Sequence, residues 1–91
     1  MKQHWWVYIV RCKDSSLYTG LCTDVTRRLH EHNHDNQRAA RYTRARRPVK
    51  LVYQERCTTR SSASKREHSI KRLSRVQKLA LIRQAARRKK N

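Results

Sequence analysis

At 91 residues and 11.0 kDa the chain is sized for one compact domain with a modest core, too short for two ordinary ones. It carries 24 Lys and Arg against 6 Asp and Glu, a formal net charge of +18, and only 36% apolar residues, and no run approaches the ~20 apolar residues of a bilayer-crossing helix. A membrane span is excluded, and the basic start Met1-Lys2-Gln3-His4, which lacks a small-residue cleavage site, is expected to be unprocessed.

Trp5-Trp6-Val7-Tyr8-Ile9-Val10 is apolar, β-branched and aromatic, which predicts a strand, and Asp14-Ser15-Ser16 is turn chemistry. Leu17-Tyr18-Thr19-Gly20-Leu21 returns as a second strand. If Asp14-Ser15-Ser16 is a three-residue loop, Lys13 faces Leu17, even-numbered residues meet, and Tyr8 and Tyr18 share a sheet face. A two- or four-residue loop, or a bulge, would separate them. Trp5 and Trp6 cannot both face one core on a regular strand, so at least one is a candidate contact or covers a helix.

Thr23-Asp24 offers a cap for a helix whose apolar positions Val25 and Leu29 are four apart. Arg28 and His32 lie three residues after each of these, on the same stripe, while Arg27 and Glu31 point elsewhere. In His30-x-His32-x-His34 alternate residues do not share a helix face, so no zinc site is expected. Residues 33–47 lack an apolar period and read as a loop interrupted by Tyr42 and closed by Pro48. Val49-Lys50-Leu51-Val52-Tyr53 is a third strand.

A further helix carries Ala63, Ile70 and Leu73, with Ser64-x-x-Glu67 matching a capping box. Glu67 is four residues after Ala63 and three before Ile70, on the stripe facing the sheet, where an unpaired carboxylate is costly unless a cation or metal answers it. Spacing leaves it either the capping partner of Ser64 or a functional acid. Ser74-x-x-Gln77 caps a final helix with Val76, Leu79, Ala80 and Ile82 apolar, whose end, Arg87-Arg88-Lys89-Lys90, is expected to be frayed until a phosphate backbone orders it.

Charge and thiols point to surroundings and partner. Residues 38–91 hold 19 cations against Glu55 and Glu67, whereas residues 1–37 are nearly balanced, and Arg outnumbers Lys 16 to 8. Such a field repels itself unless a polyanion answers it, so nucleic acid is the expected partner. Three cysteines, Cys12, Cys22 and Cys57, cannot all pair within one chain and lack metal-ligand spacing, so reduced thiols and a cytoplasmic home are expected.

Two tyrosines on one face, an Arg and a His on the facing helix stripe and an inward Glu form an unusual polar cluster. With Val7-Tyr8-Ile9, Leu17-Tyr18-Thr19-Gly20, Thr23-Asp24-x-x-Arg27-Arg28-Leu29-x-x-His32-Asn33, Arg41-Tyr42-Thr43, Arg46-Arg47-Pro48-Val49 and Arg66-Glu67, the sequence resembles the GIY-YIG nucleases, specifically their small single-domain bacterial members. It departs in having Trp6-Val7 where the first signature's name puts Gly-Ile, and Arg38-Ala39-Ala40 where relatives often have glycines.

The resemblance implies an α+β fold, a three-stranded antiparallel sheet flanked by helices with a C-terminal basic helix. It would form a nuclease domain over residues 1–82, followed by a basic tail over 83–91 that continues the last helix or is disordered. It implies a DNA endonuclease using one divalent cation, Mg²⁺ or Mn²⁺. Glu67 matches the metal-binding carboxylate, Arg28 the catalytic arginine, Tyr8 and Tyr18 the signature tyrosines and His32 the helix histidine. Either tyrosine is a candidate base: Tyr8, with its pKa lowered by the cation or hydrogen-bonded, is the first candidate, with Tyr18 orienting water or phosphate and His32 assisting proton transfer. A lone carboxylate suits one hydrated cation and not a two-metal clamp.

Single-stranded or branched DNA is expected over plain duplex, with RNA also possible, because Trp5, Trp6 and Tyr42 offer stacking surfaces. The candidate contacts are Arg27, Asn33, Arg38, Arg41, Tyr42, Arg44, Arg46, Arg47, Lys71, Arg75, Arg87 and Arg88. No membrane and no obligate protein partner are expected. The rival reading is a non-catalytic basic DNA- or RNA-binding module on the same fold.

Overall fold

The structure is a computed structural model that describes residues 4–89. The start Met1 to Gln3 and the tail end Lys90-Asn91 lie outside the described residues. In chain order the elements are β1 (Trp5–Arg11), β2 (Leu17–Cys22), α1 (Val25–His34), α2 (Arg41–Arg44), β3 (Lys50–Cys57), α3 (Arg60–Lys71) and α4 (Arg75–Lys89). The strands form an antiparallel sheet of order β2-β1-β3, the expected α+β architecture.

The β1–β2 hairpin keeps the expected parity in a register displaced by one residue on each strand. Cys12 N–H donates to Ser16 C=O at 2.9 Å, so the three-residue loop is Lys13-Asp14-Ser15, with Ser15 in the left-handed region at φ 69°. Asp14 closes it by accepting from the Ser16 amide at 3.0 Å. Arg11 pairs with Leu17, Val10 with Tyr18 and Tyr8 with Gly20, so Tyr8 and Tyr18 do share a face.

The third strand runs to Cys57, four residues beyond the expected end, because β1 offers partners as far as Trp5. A bulge between the Ile9–Tyr53 and Val10–Leu51 pairs makes Val52 the extra residue. Val52 and Tyr53 both join one core while Leu51 joins the other.

Both sheet faces are covered. Val7, Ile9 and Tyr53 pack with Ala63 and Ile70 of α3 and Leu81, Ile82 and Ala85 of α4. Tyr8, Val10, Cys12, Cys22 and Val49 pack on the other side with Val25 and Leu29 of α1. Trp5 belongs to the first cluster and Trp6 to the second. Both indoles are half-buried, so neither is the freely exposed stacking platform that strand alternation had pointed to.

Four local expectations are corrected. Residues 33–47 are not a plain loop, since α1 extends to His34 and α2 forms a short turn of helix with Thr43 buried. The α3 capping box is Thr59 with Ser62, so Glu67 is not a cap for Ser64. Val76 is 75% exposed, because Leu81, Ile82 and Ala85, not Val76, carry α4 onto the sheet. The basic end is helical through Lys89, one continuous helix once Ser74 and Gln77 satisfy its first amides.

Candidate active site

Asp24 caps α1 through the Arg27 amide at 3.0 Å, and the helix then presents Arg28 and His32 to the sheet face that carries Tyr8 and Tyr18. Tyr8 Oη and His32 Nε2 are 2.7 Å apart, and His32 Nδ1 is 2.7 Å from Thr43 Oγ1. Tyr18 sets its ring 5.6 Å from that of His32, edge to face, and stacks on Tyr42 at 5.9 Å. The guanidinium of Arg46 covers the far side of Tyr42 at 3.8 Å and pairs with Asp14 at 3.1 Å.

Close approach of the phenol depends on Gly20, the single glycine of the chain, which pairs with Tyr8 across the hairpin. Its φ is not positive, so the position needs the space a missing Cβ leaves and not glycine's conformational freedom.

Arg28 Nη1 donates to Glu31 Oε1 at 3.0 Å and to the Arg38 carbonyl at 2.7 Å. Glu31 therefore does not point away from the site. It is half-buried against Arg28, with Arg27 at 3.7 Å on its other oxygen, because positions 27, 28 and 31 are helix neighbours at spacings of three and four.

Burial raises the Tyr8 pKa well above the ordinary phenol, and the nearby Arg28 charge offsets only part of that. The expected lowering is thus reversed: in the resting protein Tyr8 is a neutral phenol. Burial and then the Arg28 charge push His32 down to about 4, Arg47 acting in the same direction and Glu31 against it. His32 is therefore neutral near pH 7, as a fully buried imidazole between two cations should be.

That depression has a stability consequence. Below about pH 6.5 the unfolded chain takes up a proton at His32 that the folded protein refuses, so stability is full above 6.5 and falls toward pH 4. About 3 kcal/mol is expected to be lost across that window at ~1.4 kcal/mol per unit. Urea midpoints for the wild type and His32→Gln at a series of pH values check this. A wild-type slope no steeper than that of the variant would contradict it.

Several expected nucleic-acid contacts serve the fold. Asn33 exchanges two hydrogen bonds with the backbone of Val49, at 3.0 and 2.8 Å. Arg47 donates to the carbonyls of His32 and Asp35 and to Asn36 Oδ1, tying down the C-terminal end of α1. Arg38, Arg41, Tyr42 and Arg44 remain exposed beside the site, and Arg27 lies at its edge. Lys71, Arg75, Arg87 and Arg88 are exposed on α3 and α4, the helices that pack on the opposite sheet face.

Tyr8, Tyr18 and His32 are thus gathered by direct contacts with Arg28 beside them, whereas Glu67 reaches the site from a different helix, α3. Its helix seats Ala63 and Ile70 on the face away from Tyr8, and among the described residues no hydrogen bond or ion pair links it to the other four. Its ion pair is with Lys71 at 3.7 Å, and its side chain is 21% exposed. Among the described residues no cluster of three or more His, Cys, Asp or Glu could enclose a metal. A half-buried carboxylate held only by one long ion pair keeps lone pairs free, which fits a single hydrated Mg²⁺ or Mn²⁺ completed by water and phosphate.

Sequence reasoning assigned no role to Thr43 or Glu31. For Glu31 the signal was present in its spacing from Arg28. For Thr43 the one signal was its place in the Arg41-Tyr42-Thr43 motif, since its partner lies eleven residues away across a segment without periodicity.

A model of the GIY-YIG catalytic domain matches residues 4–80. The UPF0213 protein of Desulfotalea psychrophila is 56% identical over 78 residues, covering 86% of this chain and 70% of that protein. Its counterpart in Staphylococcus saprophyticus is 54% identical over 82 residues, covering 90% and 96%. The solution NMR structure of the UPF0213 protein BH0048 from Bacillus halodurans superposes with a TM-score of 0.56 at 40% identity, over 87% of this chain and 82% of that one. GIY-YIG proteins are a family of nucleases that bind nucleic acid and generally use divalent metal ions. On that match and those relatives, the chain belongs to the GIY-YIG family, among its small bacterial members.

Proposed function

We propose that this protein is a metal-dependent DNA endonuclease that favours single-stranded or branched DNA over plain duplex. The observation that carries this reading is the hydrogen bond between the Tyr8 phenol and His32 Nε2, 2.7 Å long and buried beside the Arg28 guanidinium. A surface that only bound phosphate would have no use for a buried phenol and imidazole in line.

In the proposed reaction the phenol oxygen of Tyr8 takes a proton from the attacking water while its own proton passes to His32 Nε2, which holds it only while the substrate phosphate's negative charge offsets Arg28 and Arg47 and then returns it through Tyr8 to solvent. The water oxygen bonds to phosphorus as the bond from phosphorus to the leaving oxygen breaks, and that oxygen takes a proton from solvent. This relay needs no free phenolate, which matches the raised Tyr8 pKa. Arg28, a permanent cation, stabilises the charge that grows on the phosphate, and Tyr18 orients water or phosphate. A divalent cation on Glu67 would supply further charge neutralisation at the phosphate.

The catalytic unit would be residues 1–82, followed by a basic tail over 83–91 whose described part, to Lys89, extends α4. DNA contacts are assigned to Arg27, Arg38, Arg41, Tyr42, Arg44, Arg46, Lys71, Arg75, Arg87 and Arg88. Asn33 and Arg47 stay candidate contacts with them, although both also hold backbone, as Arg44 and Arg46 do. The free thiols of Cys12, Cys22 and Cys57 fit a reducing cytoplasm.

The test is cleavage of labelled single-stranded, duplex and branched DNA with Mg²⁺, Mn²⁺ or EDTA, with Glu67→Ala run beside the wild type. Metal-dependent cutting is expected, lost in the variant while DNA binding is retained. Wild-type protein that binds every substrate and cuts none would make it a binding module. Variant cutting at the wild-type rate would remove Glu67 from the metal site.

A further inference from the structure

We infer that Thr43 is a positioning residue: its hydroxyl holds His32 as the Nδ1–H tautomer and leaves Nε2 bare to receive the Tyr8 proton. The catalytic consequence rests on the nuclease reading above, whereas the tautomer itself does not.

Counting protons along a buried chain assigns a direction to each bond. His32 and Thr43 are both 0% exposed, so bulk water does not compete for their polar atoms. Thr43 Oγ1 donates to the Ala40 carbonyl at 3.0 Å, and a carbonyl oxygen can only accept. With the hydroxyl proton on that bond, where Ala40 O also accepts from the Arg44 amide at 2.9 Å, the Thr43 oxygen accepts at its 2.7 Å contact with His32 Nδ1. Nδ1 therefore carries the hydrogen. A neutral imidazole has only one N–H, so Nε2 presents a lone pair to Tyr8 Oη at 2.7 Å. Arg28, a donor without acceptor atoms, faces the same phenol oxygen, which leaves the Tyr8 O–H directed at His32.

The opposite tautomer would set the Nδ1 lone pair against the Thr43 oxygen, which could answer only by releasing Ala40, the N-cap of α2. The charged groups around the ring act on whether it gains a second proton, Arg28 and Arg47 opposing it and Glu31 favouring it. The hydroxyl determines which nitrogen holds the first.

The same short segment reaches the other members of the group. Tyr42, the neighbour of Thr43, stacks on Tyr18, and the Arg38 carbonyl accepts from Arg28. The turn around α2 thus aligns the site from behind, although it supplies none of the residues proposed to touch the scissile phosphate.

Long-range ¹H–¹⁵N spectra of histidine-labelled protein, with cleavage kinetics on the best DNA substrate, test this. Wild type and Thr43→Ser should show His32 protonated at Nδ1. Thr43→Val, equal in volume but without the hydroxyl, should show Nε2–H or a mixture of tautomers. Thr43→Ala serves if the valine variant does not fold. The kcat of the hydroxyl-free variant should fall about 10- to 100-fold, as when a partner orienting a functional histidine is removed, with KM unchanged and with serine restoring the rate. Wild-type His32 in the Nε2–H form, or a hydroxyl-free variant that keeps Nδ1–H, would overturn the inference. If the tautomers follow the hydroxyl but the wild type cuts no DNA, the nuclease reading fails and the positioning role stands.

Discussion

Arg28→Ala is expected to slow DNA hydrolysis by about 10²- to 10³-fold, the usual loss when one preorganised donor to a developing oxyanion is removed. DNA affinity should change little, since one phosphate contact is a small part of a field of 24 cations. The size of the effect follows from how the guanidinium is held. Its side chain is 24% exposed and its Nη1 is fixed by Glu31 and by the Arg38 carbonyl, so little reorganisation accompanies charge development. Arg28→Lys should rescue only part of the loss, because one ammonium cannot keep the planar fork's bonds and also face the phosphate. Glu31 retains Arg27 at 3.7 Å in either variant, so the fold should survive, and a thermal melt run in parallel verifies it. Single-turnover cleavage and equilibrium binding on one substrate separate the two effects. An alanine variant that cuts at the wild-type rate would take Arg28 out of the reaction.

Gly20→Ala should be nearly as damaging, although residue 20 has no side chain to offer the chemistry. A Cβ there would stand 2.7 Å from Tyr8 Cζ and closer still to the phenol oxygen, well inside van der Waals contact. Tyr8 and Gly20 are paired across the hairpin, so the strands cannot simply part and the ring must shift. Displacement of about 1 Å from a reacting geometry can cost ~10²-fold, and the 2.7 Å bond to His32 has no slack to absorb it. Overpacking adds about 1–3 kcal/mol of destabilisation. Cleavage, melting temperature and the Gly20→Ala/Tyr8→Phe double variant check this together. The double variant should lose little more activity than Tyr8→Phe alone, since both changes act on one phenol. Wild-type cleavage by Gly20→Ala would show that the phenol need not sit where it does.

Legibility of the fold and site varied by element. The hairpin was readable because side chains alternate with period two, so a loop displaced by one residue on each strand still left Tyr8 and Tyr18 on one face. Arg28 and His32 were readable because a capped helix places residues three and four apart on one stripe. The Tyr8 charge state was misjudged, since spacing shows which cation is near and not how much water is lost, and burial outweighed Arg28. Residues 33–47 were misread because α2 is too short to show a period and is held by contacts across the chain.

By itself, then, the sequence determined the order of the strands and of the three longer helices, the shared tyrosine face, the α1 pair and the basic character that calls for a polyanion. These are properties of local spacing and of composition, which do not depend on where distant segments meet. Only the tertiary structure decided that both sheet faces are covered and both tryptophans packed, that Thr43 completes the buried chain, and that Glu67 pairs with Lys71 and does not cap Ser64. All but the last of these depend on contacts between distant segments, and burial then decides which polar groups stay neutral and which nitrogen holds the proton.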